Sequence, residues 1–310
     1  MTTHEVTGTG TAAATLIEAV LAGEIGTEES LDEAAWHRMW ERDGLAGKTP
    51  LDMALAGGAL ADRLSWVFVS GYQAALHANF PQLPASGWAA FVATEDRQDP
   101  AAHPGTFLAS GTRGRVLHGY KSWVAQSRQV AHLLVTAREH PEDDTPGCVL
   151  VSARAPGVHL SHRDEPGFLA DMSQGFARFD SVEVAGEKYG FERSRAFGRS
   201  ESIYVMLAAS AFLLAQQAQT AKVDDELVAL SLAIAAVVSR IADEGGGPAP
   251  ARVLAALDRS LAACVARFDH LGSSVVPSWG TDRRLLGMYS NRIQRRAARA
   301  TGERGNGDTR

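Results

Sequence analysis

Apolar residues recur with helical spacing near the start of the chain. Between residues 12 and 77 their positions fit one face of a helix better than the alternation of a strand. The clearest apolar positions are Leu51, Met53, Leu55, Leu60, Leu64, Trp66 and Val67. Ser30 is followed three residues later by Glu33, a pairing typical of a helix N-cap. The first part of the chain is therefore predicted to be helical.

The pattern changes at about Trp88 to short apolar runs separated by Gly and Pro. These runs are WAAFVATE, GTFLASG, RVLHGYKSWVAQ, HLLVTARE, GCVLVSARAPGVHLSH and FARFDSVEVAG. Short β-like runs with turn residues such as PEDDTPG between them predict an antiparallel sheet or a small barrel.

Helical periodicity returns after Gly190 and continues to the last stretch, DRRLLGMYSNRIQRRAARA. One helix, within VDDELVALSLAIAAVVSRIADE, is apolar nearly all round, which indicates burial against other helices or another subunit. Helices followed by strands and then helices exclude a doubly wound α/β fold. We predict an α+β fold with an N-terminal helical domain (1–87), a middle antiparallel β domain (88–190) and a C-terminal helical bundle (191–310).

Charge and hydropathy narrow the range of partners. The 310 residues include 30 basic and 36 acidic side chains, which gives a net charge of −6. This mild acidity argues against nucleic acid or an anionic membrane surface as the main partner. The chain shows neither a signal peptide nor about 18 uninterrupted apolar residues, so we expect no membrane span and a cytoplasmic location.

The cysteines and the paired histidines do not predict a metal site. Cys148 and Cys264 are the only cysteines, and two thiols cannot form a disulfide framework or a thiolate metal centre. His159 and His162 fall on a predicted strand, where residues three apart point to opposite faces. No metal is therefore expected.

The most informative tract is GYKSWVAQS at Gly119–Ser127, followed by AHLLVTA at 131–137. Thr94-Glu95 precedes this tract, and the motif F-D-x-V-x-V follows it from Phe179. Taken alone, Trp123 is typical of an ordinary core tryptophan. Taken together, the segments resemble the acyl-CoA dehydrogenase family. The middle β domain of that family runs from A-x-T-E through G-x-K-x-W-I-T-N to F-D-x-V-x-V-P.

The resemblance implies a flavoprotein that holds FAD between the β domain and the C-terminal helices of two subunits. It also implies α,β-desaturation of an acyl thioester, carried on coenzyme A or on a carrier protein, by a homo-oligomer or a heteromer with a related subunit. That reaction needs a carboxylate over the α-carbon, hydrogen bonds to the thioester carbonyl and donors to the flavin.

The family's flavin-binding positions fall here on Thr94, Glu95, Trp123, Val124 and Ala125. Backbone groups of Thr94-Glu95 match those that contact the flavin pyrimidine edge. Trp123 and Val124 match the Trp and Ile beside the isoalloxazine. The family's next residue is a Thr whose hydroxyl faces the flavin, and here it is Ala125.

The resemblance also assigns the substrate and catalytic positions. Glu201 matches the family's Asp that contacts coenzyme A, and Tyr204 matches its partner Arg. The catalytic Glu of one branch of the family falls on Ile203, and that of the other branch falls on Ser290. Because neither residue is a carboxylate, Glu201 is the nearest candidate base. Its alternative interpretation is an acid near the start of a helix.

Two functions remain open at this stage. The first is an acyl-CoA dehydrogenase-like flavoprotein that acts on an acyl thioester, alone or with a catalytic partner subunit. The second is a flavin-free homologue, catalytically inert or repurposed, with a structural or regulatory role. A shared fold does not decide between them.

Overall fold

A computed structural model describes residues 9–111, 114–140, 142–186, 188–220, 222–243 and 250–300. In these described residues, helices precede and follow the strands, so the predicted α+β fold class is confirmed. In the described ranges the helices are α1 (Thr9–Leu21), α2 (Glu33–Arg42), α3 (Pro50–Leu60), α4 (Leu64–Asn79), α5 (Phe191–Ala218), α6 (Asp225–Asp243), α7 (Ala251–Val275), α8 (Trp279–Asp282) and α9 (Arg284–Ala300), with a 3-10 turn at Leu45–Gly47.

The strands are β1 (Trp88–Val92), β2 (Phe107–Gly111), β3 (Gly114–Ala125), β4 (Val130–Ala137), β5 (Gly147–Ser152), β6 (Val158–His162), β7 (Gln174–Val184) and β8 (Lys188–Tyr189). They form two sheets in the orders β1-β4-β5-β8 and β2-β3-β7-β6. β1 pairs with β4 in parallel, with Trp88 opposite Val130, and the other strand pairs are antiparallel.

The chain forms two compact units. A helical unit comprises the described parts of residues 1–30, 47–78 and 199–310. A β unit comprises the described parts of residues 31–46 and 79–198. The three-domain division at 87/88 and 190/191 stays a prediction.

Residues from both sheets share one apolar core in the β unit. Leu117, Val124, Leu133, Val149 and Phe179 are fully buried within it. Burying such side chains is the main favourable term in folding, at about 25 cal/mol per Å² of apolar surface. This core makes the sheets a firm support for the side chains on their outer faces.

Two irregularities in β3 decide which of its side chains face outwards. Gly119 has φ +117°, and a Cβ there would lie 2.5 Å from the carbonyl oxygen of Gly105, so only glycine fits. The pairing of β3 with β7 then shifts between Lys121 and Val124. Lys121 and Val124 are consequently both buried, whereas Ser122 and Trp123 between them are half-buried.

The start of α2 differs from the prediction. Ser30 is not the N-cap, because Asp32 directly precedes the helix and its side chain accepts a hydrogen bond of 2.7 Å from the Ala35 N–H. The Ser30 N–H instead donates to the Asp62 carboxylate at 3.1 Å.

Helix α5 packs very closely against α3 and α4 in the helical unit. A Cβ at Gly58 would lie 2.2 Å from the Ala208 carbonyl oxygen, and one at Gly71 would lie 2.5 Å from Val205 Cα. Helix α6, which was expected to be buried against other helices or another subunit, buries one face within this chain. Among the described residues, no helix has the length and apolar character needed to cross a membrane.

Candidate functional site

The two segments predicted to bind flavin lie side by side in the β unit. The Thr94 carbonyl accepts hydrogen bonds from the Ser122 N–H at 2.8 Å and from the Ser122 hydroxyl at 3.3 Å. The side chain of Thr94 is exposed. The segment that carries Thr94 therefore lies beside the segment that carries Ser122 and Trp123, although 28 residues separate Thr94 from Ser122 along the chain.

Trp123 is held in place by its neighbours. Its indole N–H donates to the Gln174 amide oxygen at 3.1 Å. An Arg163 N–H donates to the Ser122 carbonyl at 3.2 Å. We call Thr94, Ser122, Trp123, Arg163 and Gln174 the Trp123 surface. It combines an aromatic ring, two hydroxyl groups and a cation.

Sequence analysis missed Ser122 and Arg163. Ser122 directly precedes Trp123 in the informative tract, so its hydroxyl was visible as a candidate. Arg163 had no such signal, because it follows β6 and reaches Ser122 only through the pairing of β6, β7 and β3.

Val124 and Ala125 expose no side-chain surface. Both are fully buried, and Val124 belongs to the apolar core of the β unit. Only their backbone groups remain to contact a ligand.

The carboxylate of Glu95 is occupied by neighbouring cations. It lies 2.9 Å from Lys121 Nζ and 3.1 Å from Arg138 Nη1, and it accepts a hydrogen bond of 3.2 Å from the Thr106 N–H. Burial raises the pKa of Glu95, but the hydrogen bonds and charges of Lys121 and Arg138 outweigh that effect and hold the pKa below its ordinary value. Glu95 thus anchors the segment that presents Thr94.

Lys121 is the most buried charged residue of this network, with only 1% of its surface exposed. Its ammonium also donates to the Thr136 hydroxyl at 3.0 Å and to the Ala93 carbonyl at 3.3 Å. Burial lowers the pKa of Lys121, and the bond to Glu95 only partly opposes that shift. Of the two partners, it is therefore Lys121 whose charged form is, on balance, destabilised by burial.

Glu201 is engaged with α9 in the helical unit. It accepts a hydrogen bond of 2.9 Å from the Tyr289 hydroxyl and lies 2.8 Å from Arg292. Because α5 begins at Phe191, Glu201 lies well inside the helix, and its interpretation as an acid near a helix start is wrong. Burial strongly raises the pKa of Tyr289, and Glu201 raises it further, so this hydroxyl stays protonated and donates.

Ser290 also contacts a carboxylate, but not that of Glu201. The Ser290 hydroxyl donates to Asp258 at 2.8 Å, and the Gln294 amide donates to the same oxygen at 2.6 Å. Asp258, on α7, is only 3% exposed. We call Glu201, Asp258, Tyr289, Ser290, Arg292 and Gln294 the α9 cluster.

Asp258 was missed by sequence analysis, although its position gave a signal. It lies among Ala255, Leu261 and Cys264, at the three- and four-residue spacing of the buried face of α7. An acid at such a position requires hydrogen-bonding partners from another element, which Ser290 and Gln294 provide.

Tyr204 and Ile203 are both buried in the helical unit. Burial raises the pKa of Tyr204 to about 12, so this side chain is neutral. Neither side chain provides an ionised group.

The two histidines of β6 have different partners: His159 lies 3.3 Å from Asp180, and His162 lies 2.9 Å from the Ser127 hydroxyl. Within the described ranges, no group of three or more His, Cys, Asp or Glu side chains is placed to hold a metal ion.

Several solved structures resemble this chain. PigA with FAD and proline has a TM-score of 0.64 and 13% identity, covering 98% of this chain and 100% of that chain. Butyryl-CoA dehydrogenase from Megasphaera elsdenii has a TM-score of 0.57 and 15% identity, covering 96% of this chain and 95% of that chain. The prolyl acyl carrier protein oxidase AnaB has a TM-score of 0.60 and 12% identity, covering 96% of this chain and 99% of that chain. No protein-family model and no curated protein sequence matches the chain.

The chain has the acyl-CoA dehydrogenase-like fold. The resemblance predicted from the tracts around Thr94 and Trp123 is confirmed at the level of the fold. At such low identity the fold alone is shared, and function depends on the side chains of the site.

Proposed function

We propose that this chain is a flavoprotein that binds FAD at the Trp123 surface and acts on an acyl thioester. One observation supports this most directly: the Thr94 segment and the Trp123 segment meet at the Ser122 hydrogen bonds. The two segments that the resemblance assigns to flavin binding are therefore neighbours, which supports the proposal.

The residues of the Trp123 surface fit an isoalloxazine. A planar ring system packs against an aromatic face, and its polar edge requires donors. Trp123 provides the face, and Thr94 and Arg163 provide an exposed hydroxyl group and an exposed guanidinium group. The backbone of Thr94, Glu95, Val124 and Ala125 completes the proposed flavin contacts. When FAD is bound, its chemistry would be that of a hydride acceptor for the β-carbon of the substrate.

The α9 cluster contains the residues that the resemblance places near the substrate α-proton. A serine hydroxyl, with a pKa far above physiological pH, cannot abstract this proton without a base. We propose Glu201 as this chain's candidate carboxylate, with Ser290 at the family's usual base position and Tyr204 beside the acyl thioester carrier. Since Arg292 and Tyr289 hold Glu201, we further propose that efficient α,β-desaturation requires a partner subunit that supplies the base.

We also propose that the protein works in the cytoplasm as a homo-oligomer or as a heteromer with a related subunit. The substrate would be an acyl group on coenzyme A or on a carrier protein.

Flavin binding is tested by incubating the purified chain with FAD, removing free cofactor and recording the visible spectrum. We expect bands at ~370 and ~450 nm. Arg163→Gln should weaken flavin retention, because the substitution removes the cation of the Trp123 surface. Arg178→Gln is the matched control, since Arg178 is an exposed arginine of the same sheet that pairs with Asp180. Equal retention by both variants would contradict the proposed surface.

A flavin-free homologue is the second candidate, and the α9 cluster favours it. Both carboxylates of the cluster are already bound by donors of this chain, as expected of a structural polar network. A protein that stays colourless after incubation with FAD would support this alternative.

Turnover is tested with the isolated chain, FAD, an artificial electron acceptor and a panel of short, branched and long acyl thioesters. We expect no turnover at a rate typical of enzymes. A rate of ~10 per second that is lost in Glu201→Gln and kept in Ser290→Ala would instead identify Glu201 as a sufficient base.

A further inference from the structure

Exposed arginines lie on the outer surface of both α7 and α9. Helix α7 presents Arg252 and Arg259, and α9 presents Arg295 and Arg299. Among the described residues, none of these four side chains forms an ion pair with an acidic group. Met288, on α9, is also exposed. We call these five residues the α7–α9 surface.

Gln294 joins the two helices at this surface. Its amide donates to the Ala255 carbonyl of α7 at 3.0 Å, and its amide oxygen accepts from Arg259 at 3.4 Å. Arg295 directly follows Gln294 in the chain. The exposed arginines of α7 and α9 therefore belong to one surface.

The spacing of these residues follows the helix repeat. Arg252 and Arg259 are seven residues apart, and so are Met288 and Arg295. Seven residues are two helical turns, or about 10 Å along the axis. Arg299 follows Arg295 by about one further turn. Each helix thus presents its exposed residues along one face.

Positive charge is concentrated on α9. This helix has five arginines and no acidic residue. Arg292 pairs with Glu201, and Arg296 donates to the Arg199 carbonyl at 3.2 Å. Without the five arginines of α9, the charge balance of the chain is 25 − 36 = −11. The basic surface is therefore a local feature of an acidic chain, and it favours an anionic partner.

Met288 indicates that this partner is a protein. It is 58% exposed, and an exposed apolar side chain beside arginines gains from an apolar contact that a phosphate group does not provide. A long nucleic acid would also meet the acidic remainder of the chain. Helix α9 is not available to insert into a membrane, because its apolar face is buried within the chain. That face includes Leu285, Ile293 and Ala297.

We propose that the α7–α9 surface docks an acidic helix of a partner protein. The partner helix lies along α7 and α9, with carboxylates at three- and four-residue spacing opposite the arginines and an apolar side chain against Met288. A second copy of the same surface does not fit, since arginines would then face arginines. This docking goes beyond the flavin function proposed above and does not depend on it.

The expected binding is weak and depends on salt. A single docked helix covers less than the about 1,200 Å² of a small stable interface. Exposed ion pairs each contribute little and are screened by salt. We therefore expect a dissociation constant of about 10–100 μM at low salt, and a value at least about fivefold higher at 0.15 M ionic strength.

Fluorescence anisotropy of a labelled peptide, titrated with the full chain, tests the docking. The probe is a synthetic helical peptide of about 20 residues, with Glu at every third or fourth position on one face and a Leu among them. The control peptide has Gln in place of each Glu. We expect the Glu peptide to bind at least about tenfold more tightly than the Gln peptide.

Variants of the chain locate the binding site. Arg259→Gln and Arg295→Gln should each weaken binding of the Glu peptide about threefold, and the double variant should weaken it about tenfold. Met288→Gln should weaken binding while leaving its salt dependence unchanged. Arg154→Gln is the matched control, because Arg154 is an exposed arginine of the β unit and its substitution changes the net charge equally. Circular dichroism verifies the fold of each variant.

Four outcomes would overturn the proposal. The first two are equal affinity for the Glu and Gln peptides, and a loss of binding in Arg154→Gln as large as that in Arg295→Gln. The third is binding of anionic phospholipid vesicles or duplex DNA, lost in the double variant, by a chain that does not bind the Glu peptide. The fourth is a double variant with a different sedimentation coefficient from the wild type, since a second copy would then cover the surface.

Discussion

The buried ion pair between Lys121 and Glu95 allows an asymmetric test of what holds the Thr94 segment in place. Glu95→Gln removes the charge that compensates the Lys121 ammonium while keeping the shape of the side chain. Lys121→Met removes the ammonium and retains most of its apolar stem. Because the two partners have different environments, we expect the two substitutions to lower the free energy of unfolding by different amounts.

The loss of unfolding free energy in each variant depends on how exposed the remaining charged group is and on which hydrogen-bonding partners it keeps. In Glu95→Gln, an ammonium that is 1% exposed retains only neutral acceptors. Breaking a buried pair in this way costs ~3–5 kcal/mol, and we expect about 3 because the new amide oxygen still accepts a hydrogen bond. In Lys121→Met, Glu95 is 21% exposed and keeps Arg138 and the Thr106 N–H, so we expect about 1–2 kcal/mol.

Denaturant unfolding, followed by circular dichroism and tryptophan fluorescence, measures these costs. The Glu95→Gln/Lys121→Met double variant should be more stable than Glu95→Gln alone, because it no longer buries an uncompensated charge. The reasoning fails if Lys121→Met is as destabilising as Glu95→Gln, or if the costs of the two substitutions add in the double variant.

Three further predictions concern the cofactor surface and the cores. Trp123→Ala should release flavin while costing less than the ~3–5 kcal/mol typical of a core Trp, as judged by flavin content and thermal unfolding of one preparation. Burial raises the pKa of Glu33 above its ordinary 4.5, so the stability contributed by this group is present below that pH and lost as pH rises. Glu33→Gln should therefore gain stability over the wild type at pH 7 but not at pH 4 in urea unfolding; an equal gain at both would contradict this. Gly58→Ala should lower stability by ~1–3 kcal/mol or more through its clash with Ala208, whereas Gly47→Ala, with open space around it, should not.

The parts of the fold that were predictable from sequence are those encoded locally. Helical spacing, short strand-like runs and their turns depend on neighbours along the chain, so the order of helices, strands and helices followed from pattern alone. The tract around Trp123 also preserved enough consecutive residues to suggest the fold, since its two strands are nearly adjacent in sequence.

The properties of the candidate site depend on distant residues and were less predictable. Glu95 was assigned to flavin binding through its backbone, and the partners of its carboxylate, Lys121 and Arg138, were not predictable because they are 26 and 43 residues away. Ser290 has its acceptor on α7, 32 residues earlier. Ser30 and Asp32 are both good capping residues, and only the backbone path decides which of them begins the helix.

The parallel pairing of β1 with β4 has a consequence for the order of folding. Trp88 and Val130 are partners in the sheet, and the chain between them contains the whole of β2 and β3. The β2–β3 pair joins strands that are close in sequence, so it closes a small loop, whereas β1 and β4 must close a much longer one. Since local contacts form before distant ones at a smaller entropic cost, the β2–β3 ribbon would form early and shorten the effective loop between β1 and β4. The strand that begins at Trp88 would then join its sheet late, and the adjoining Thr94 segment would acquire its fixed position only after that step.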